Sequence, residues 1–251
     1  MDERVRQYLA QRVEMGEGTF WMEESPAPAA PAAPAPSRKW AKDLPPIPER
    51  GLTVPRPAEG DLFKADLLAT ASLDAVATMV RACTKCGLHV GRTQAVPGEG
   101  PVDARLMVVG EGPGQQEDET GRPFVGRAGQ LLDDILASIE CPRPTVFIAN
   151  IVKCRPPQNR KPMPDEAAAC VPYLFRQIGV IRPKVLLALG ATAAESLLGV
   201  RQSLGSLRNK VHMVHGIPLV VTYHPAALLR NPNWKRPTWD DVRIARQLLD
   251  R

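Results

Sequence analysis

Four short apolar runs, Leu106–Val109, Val146–Ala149, Val185–Leu189 and Leu219–Thr222, constrain this chain more than any other feature. Each is dense in Val, Ile or Leu, and none alternates apolar with polar. Strands buried on both faces read this way. Helical stretches at 128–139, 165–179 and 191–199 intervene, and a last one runs 238–250. Strands alternating with helices imply a parallel sheet with helices on both faces. The expected fold class is therefore α/β, a three-layer α/β/α arrangement with a central four-stranded parallel sheet. Asp165 after Pro164, and Thr238 with Asp241 three residues on, are read as helix starts. One more helix is read over 68–82, with Ser72 as a start signal.

The sheet pattern begins well into the chain. Residues 25–36 are an Ala/Pro tract, and prolines recur at 45, 46, 48, 55 and 57. Proline at this density denies both helix and strand and gives extended chain. Residues 1–60 are therefore expected to be a weakly ordered Ala/Pro-rich extension, and 61–251 the domain. Residues 2–14 read as a short amphipathic surface helix, and Trp21 and Trp40, flanking the tract, are candidate anchors for a protein partner. The first residues are charged with no apolar run after them, and no stretch reaches membrane-span length. A cytoplasmic location is expected, where cysteines serve as metal ligands or free thiols rather than disulfides. The net charge of +5 leans toward an acidic partner such as nucleic acid.

The first apolar run feeds a Gly-rich loop, residues 110–132, that ends in an amphipathic stretch. Gly110, Gly112 and Gly114 let a ligand approach the backbone. The loop carries the carboxylates Glu111, Glu117 and Asp118 and the aromatic Phe124. Open α/β sheets bind ligands at the carboxyl ends of their strands. Asn150 ends the second run and offers a donor and an acceptor side by side, although an Asn there also caps turns. His224 follows the fourth run at the same sheet edge. Three polar groups at three strand ends argue for a site better than any one alone. After His224 come Leu228, Leu229 and Arg230, either core packing or a wedge between stacked bases.

Cys83 and Cys86 form a C-x-x-C pair, with Cys154 and Cys170 far downstream and Cys141 left over. Four thiolates suit zinc or an iron–sulfur cluster. The wide separation of Cys154 from Cys170 fits a cluster better than zinc. No nucleophile elbow stands at a strand end, which argues against a serine or cysteine hydrolase.

Taken together, Gly110-Glu111-Gly112-Pro113-Gly114, the run from Gly121 to Gly129, Asn150 to Arg155, Asn159-Arg160 and His224 to Leu229 resemble the family 4 uracil-DNA glycosylases. The resemblance covers about residues 75–250. It implies a repair enzyme that flips uracil out of DNA and hydrolyses its N-glycosidic bond, monofunctional and without lyase activity. It further implies a 4Fe–4S cluster on Cys83, Cys86, Cys154 and Cys170, and uracil-containing DNA as partner to a monomer. Phe124 would stack on uracil, Asn150 would read its edge, and His224 with backbone N–H groups at Gly112 would stabilise its O2. Elsewhere in the superfamily an Asp stands where this chain has Gly112. Glu111, then Glu117, or a water held by Asn159, would replace it. Leu228 and Arg230 would form the DNA wedge. The alternatives are a non-catalytic iron–sulfur DNA-binding module, a covalently trapping relative using a His near Ser206–His212, and a zinc-stabilised hydrolase of small nucleotides.

Overall fold

The four apolar runs form one continuous parallel block in the computed structural model, which describes residues 39–55 and 72–251. In chain order the elements are β1 Arg50–Val54, α1 Leu73–Arg81, α2 Leu88–Gly91, β2 Leu106–Gly110, α3 Gln115–Thr120, α4 Arg127–Ser138, β3 Val146–Asn150 and α5 Pro164–Ile181. There follow β4 Val185–Leu189, α6 Ala191–Leu198, α7 Leu204–Leu207, β5 Val211–Val214, β6 Ile217–Thr222, α8 Pro225–Arg230 and α9 Lys235–Asp250. The sheet has six strands in the order β1-β5-β6-β4-β2-β3. The block β6-β4-β2-β3 is parallel, as expected; β5 runs antiparallel to β6, and β1 runs parallel to β5. The sheet is thus mixed and two strands wider than the sequence indicates.

Both added strands sit at the end nearest β6, and both lack the apolar density of the central four. His212 interrupts β5. β1 reads Arg-Gly-Leu-Thr-Val among prolines. Its Gly51 lies where a Cβ would come within 2.5 Å of the His212 ring. His212 Nδ1 accepts from Leu52 N at 3.0 Å and its Nε2 bonds to Leu207 O at 2.7 Å, so the histidine ties the edge together. Arg50–Val54 therefore belongs to the sheet rather than to an extension. Trp40 is likewise buried, with the Arg246 guanidinium 4.8 Å over its ring, and is no exposed anchor. The 2–14 helix, Trp21 and the Ala/Pro tract lie outside the described residues.

Three layers follow from the pleat. Side chains at alternate strand positions leave on opposite faces. Met107, Val109, Phe147, Ala149, Leu186 and Ala188 pack with Val76 and Val80 of α1, Leu174 and Ile178 of α5, and Leu197 of α6. Leu106, Val108, Val146, Ile148, Val185 and Leu187 pack with Leu132 and Leu136 of α4 and with Val242, Ala245 and Leu249 of α9. β2, β3 and β4 are buried along their whole length and β6 from Leu219 onward, which is why these runs cannot alternate.

Helix starts refine the expectation. Ser72 caps α1 by accepting from Ala75 N at 3.2 Å. Its helix begins at Leu73, and residues 56–71 lie outside the described set. α5 starts one residue before Asp165: Pro164 occupies its first turn, where a missing N–H costs nothing, and Glu166 accepts from Met163 N at 2.7 Å. Thr238 lies inside α9, donating to Trp234 O, and Asp241 is buried beneath Arg208 and Thr222 instead of capping. No helix among the described residues is long and apolar enough to cross a membrane.

Candidate active site and cysteine cavity

β2 and β3 end together, with Gly110 paired to Asn150. Their loops and that of β6 converge at this edge. Asn150 is 1% exposed, and among the described residues its Oδ1 has no hydrogen-bond partner. A buried acceptor left unpaired costs about 1–3 kcal/mol, so such a group marks a place where a ligand donor fits. The orphan oxygen borders Phe124: a Cβ at Gly110 would stand 2.4 Å from Asn150 Oδ1 and 2.5 Å from Phe124 Cζ. Glycine at 110 is what brings the strand end, the amide and the ring together.

Phe124 is held against its own preference. Its φ of 51° lies in the left-handed region. Arg143 fixes it there, donating to Pro123 O at 2.6 Å and Phe124 O at 3.0 Å. Gly129 allows the fit, since a Cβ there would overlap Phe124 O at 1.9 Å. Arg143 carries this clamp from about twenty residues away, and no sequence signal points to it.

His224 stacks on Phe124, with centroids 5.5 Å apart and planes 29° from parallel. It also caps α8: Nδ1 accepts from Ala226 N at 3.2 Å. A backbone N–H only donates, so Nδ1 is unprotonated and the neutral ring carries its hydrogen on Nε2. Burial pushes the His224 pKa down to about 4, helped by Arg230 and opposed by Glu117. An unfolded chain binds the proton near 6.5, while the folded one resists it until about 4. The contribution is full above 6.5 and is lost as pH falls toward 4. Melting midpoints of the wild type should therefore fall faster over that window than those of His224→Ala. Parallel curves would mean that His224 is not held neutral.

The carboxylates divide by their partners. Glu117 Oε1 accepts from Val125 N at 2.8 Å and Gly126 N at 3.0 Å, and Oε2 accepts from Gly114 N at 3.1 Å. It staples the loop around Phe124, and both oxygens are occupied. Asp118 is buried and accepts from Thr93 N and Gln94 N. Glu111 is half-buried, and among the described residues nothing hydrogen-bonds its carboxylate; its backbone O accepts from Val152 N. A Cβ at Gly112 would stand 2.7 Å from Val152 Cγ2, so the loop backbone lies close against β3's exit. Asn159 is exposed, and its Oδ1 accepts from Arg155 Nε at 2.8 Å, so that oxygen is occupied.

Helix phase separates the wedge candidates. Leu228 is 1% exposed and faces the core, whereas Leu229 is 42% exposed, with Arg230 exposed beside it. His212, the nearest candidate for covalent trapping, is fully buried in the sheet edge described above.

Cys83, Cys86, Cys154 and Cys170 line one cavity, together with His89, Lys153 and Tyr173. Three of the sulfurs receive N–H donors: Lys85 N to Cys83, Arg92 Nη1 to Cys154 at 3.1 Å, and Lys153 N to Cys170 at 3.2 Å. Burial raises the Cys154 thiol and pushes Cys170 up to about 11. Among the described residues no three His, Cys, Asp or Glu side chains are grouped for a single metal ion. Lys153 is wholly buried, with Nζ on Gln177 Oε1 at 2.8 Å. Cys141 sits apart, near Arg246.

Residues 97–244 match the Uracil DNA glycosylase superfamily. A type-4 uracil-DNA glycosylase of Thermotoga maritima is 45% identical over 181 residues, covering 70% of this chain and 94% of that protein. One from Pyrobaculum aerophilum is 47% identical over 61% of this chain and 83% of its own length. One from Saccharolobus solfataricus is 44% identical over 71% and 87%. The chain belongs to the type-4 uracil-DNA glycosylases. In this chain the cysteine cavity, lined from the segment after α1, the exit of β3 and α5, is distinct from the cluster of Asn150, Phe124 and His224. β3 joins them, ending in Asn150 and leading directly to Cys154.

Proposed function

We propose that this chain excises uracil from DNA: it takes an extruded uracil into the Asn150–Phe124–His224 pocket and hydrolyses the glycosidic bond, leaving an abasic site. The observation that carries the reading is the buried, unpartnered Oδ1 of Asn150 against the Phe124 ring. Extrusion costs a few kcal/mol, and stacking on an aromatic returns roughly 1–3 kcal/mol. Phe124 supplies that face. Asn150 Oδ1 accepts from uracil N3–H, and its amide donates to O4. Cytosine presents an acceptor at N3 and a donor at N4, so both contacts become repulsive, the kind of mispairing that gives strong rejection.

Bond cleavage leaves negative charge on uracil O2 and positive charge on the sugar. His224 Nε2–H, with backbone N–H groups near Gly112, donates to O2 as the charge develops. The ring is neutral beforehand and needs no proton transfer to do this. Glu111 is the open carboxylate at the edge, and it stabilises the sugar cation and orients water. Glu117 acts through the loop that it staples. Leu229 fills the gap left by the base, and Arg230 meets the backbone.

Cys83, Cys86, Cys154 and Cys170 would hold the 4Fe–4S cluster. Four thiols on one cavity wall, three of them receiving N–H donors, fit such a group, because hydrogen bonds to sulfur tune clusters and metal coordination deprotonates thiols. Bound there, such a cluster would link the segment after α1, the exit of β3 and α5 through these four thiolates.

The test is release of free base from a uracil-containing oligonucleotide without added metal or nucleotide. Release confirms the reading; tight binding without release overturns it in favour of a binding module. Asn150→Asp should lower uracil release about tenfold or more, from one mispaired buried contact, and admit cytosine. Unchanged rate and selectivity would remove Asn150 from base reading.

A further inference from the structure

The turn after α8, Pro232–Trp234, and the first two residues of α9 are exposed without interruption and read Pro-Asn-Trp-Lys-Arg. The Trp234 ring stacks on Tyr223, with centroids 4.7 Å apart and planes 6° from parallel. The Arg208 guanidinium sits 4.4 Å from the Tyr223 ring centre. Tyr223 thus has both the indole and the guanidinium packed against its ring. Arg208 is anchored to buried Asp241 by a 2.8 Å bond. A column thus runs from the core through Arg208 and Tyr223 to Trp234, which is 36% exposed. Its middle member is the residue before His224, and consecutive Cα atoms lie about 3.8 Å apart.

An exposed indole held flat by a rigid column spends little entropy on ordering when a second ring stacks on it. The exposed cations flanking it in sequence are Arg230, Lys235 and Arg236, the last paired loosely with Asp240 at 3.6 Å. An aromatic face among cations is the arrangement that grips single strands, the ring taking a base and the charges taking phosphate.

Resting on the uracil-excision reading, we propose that Trp234 stacks an unpaired base neighbouring the extruded uracil and so favours single-stranded or locally open DNA over duplex. In a duplex the neighbouring bases are already stacked and paired, and none offers a free face. In a single strand one does, and Trp234 then holds the strand in register with His224.

The experiment compares kcat and KM for uracil in a single strand and in a duplex, using wild type, Trp234→Leu and Trp234→Phe. Leu keeps the apolar packing on Tyr223 but has no π-face. Trp234→Leu should raise KM for the single strand about tenfold, within the range of one base–aromatic stack. The duplex KM should change much less, and Trp234→Phe should recover most of the loss. An equal loss on both substrates, or none on the single strand, overturns the proposal. Affinity for the same single strand, measured by anisotropy without turnover, separates the two ideas. A protein that releases no uracil yet binds about tenfold more weakly as Trp234→Leu keeps the stacking and loses the excision reading. A protein that releases uracil but binds as tightly without the indole keeps the excision reading and loses the stacking.

Discussion

Replacing His224 with Ala is expected to slow single-turnover uracil release about 10²–10³-fold, the usual effect of removing one preorganised oxyanion donor. Ala226 N–H fixes Nδ1 as an acceptor, so Nε2 carries the hydrogen and the ring is a neutral donor. Stacking on Phe124 fixes its plane. In the proposed pose, a donor already aimed at O2 costs no reorganisation when charge appears there. The loss should fall on the chemical step, because uracil O2 accepts more strongly in the transition state than in the ground state. Binding of a uracil strand should change far less than the rate. A rate within tenfold of wild type, with the variant folded, would remove His224 from the chemistry and leave it as a helix cap.

Removing Arg208 is expected to have the largest effect on stability. Arg208 and Asp241 are both buried, and Asp241 Oδ2 also accepts from Thr222 Oγ1 at 2.6 Å. Burial pushes the Asp241 carboxyl up, while Arg208 and Thr222 pull it back. Arg208→Ala leaves a buried carboxylate with one neutral donor, and breaking such a pair costs about 3–5 kcal/mol. At this size that is about 2–4 °C of melting midpoint per kcal/mol. Changing both partners to Leu should recover much of the loss, since a buried ion pair replaced by apolar side chains is often neutral. A double variant as unstable as the single one would mean that Arg208 acts by packing on Tyr223 instead.

What the sequence made legible is the part carried by composition within one element. The four central strands are continuous Val/Leu/Ile runs because both faces are buried, and Asn150, Phe124 and His224 stand where strand ends and a loop must meet. β1 and β5 were hidden because their burial depends on partners. Gly51 and His212 fit each other across more than 150 residues, which no local pattern encodes. Glu117 reads as a spare carboxylate until backbone donors from three positions are folded around it. Leu228 and Leu229 are chemically alike, and only the phase of a six-residue helix decides which one faces the core. Arg143 and Arg92 act on a carbonyl and a sulfur far along the chain, so neither announces itself.

The unpartnered oxygen of Asn150 has a consequence for turnover. Free uracil presents the same N3–H as uracil in DNA, so the product satisfies that atom as well as the substrate does. Relief of the buried acceptor survives the bond cleavage, and the cut base has no internal reason to leave. On the proposed binding mode, the feature that picks uracil also makes its departure slow. The enzyme should be inhibited by its own released base, and should melt at a higher temperature in its presence.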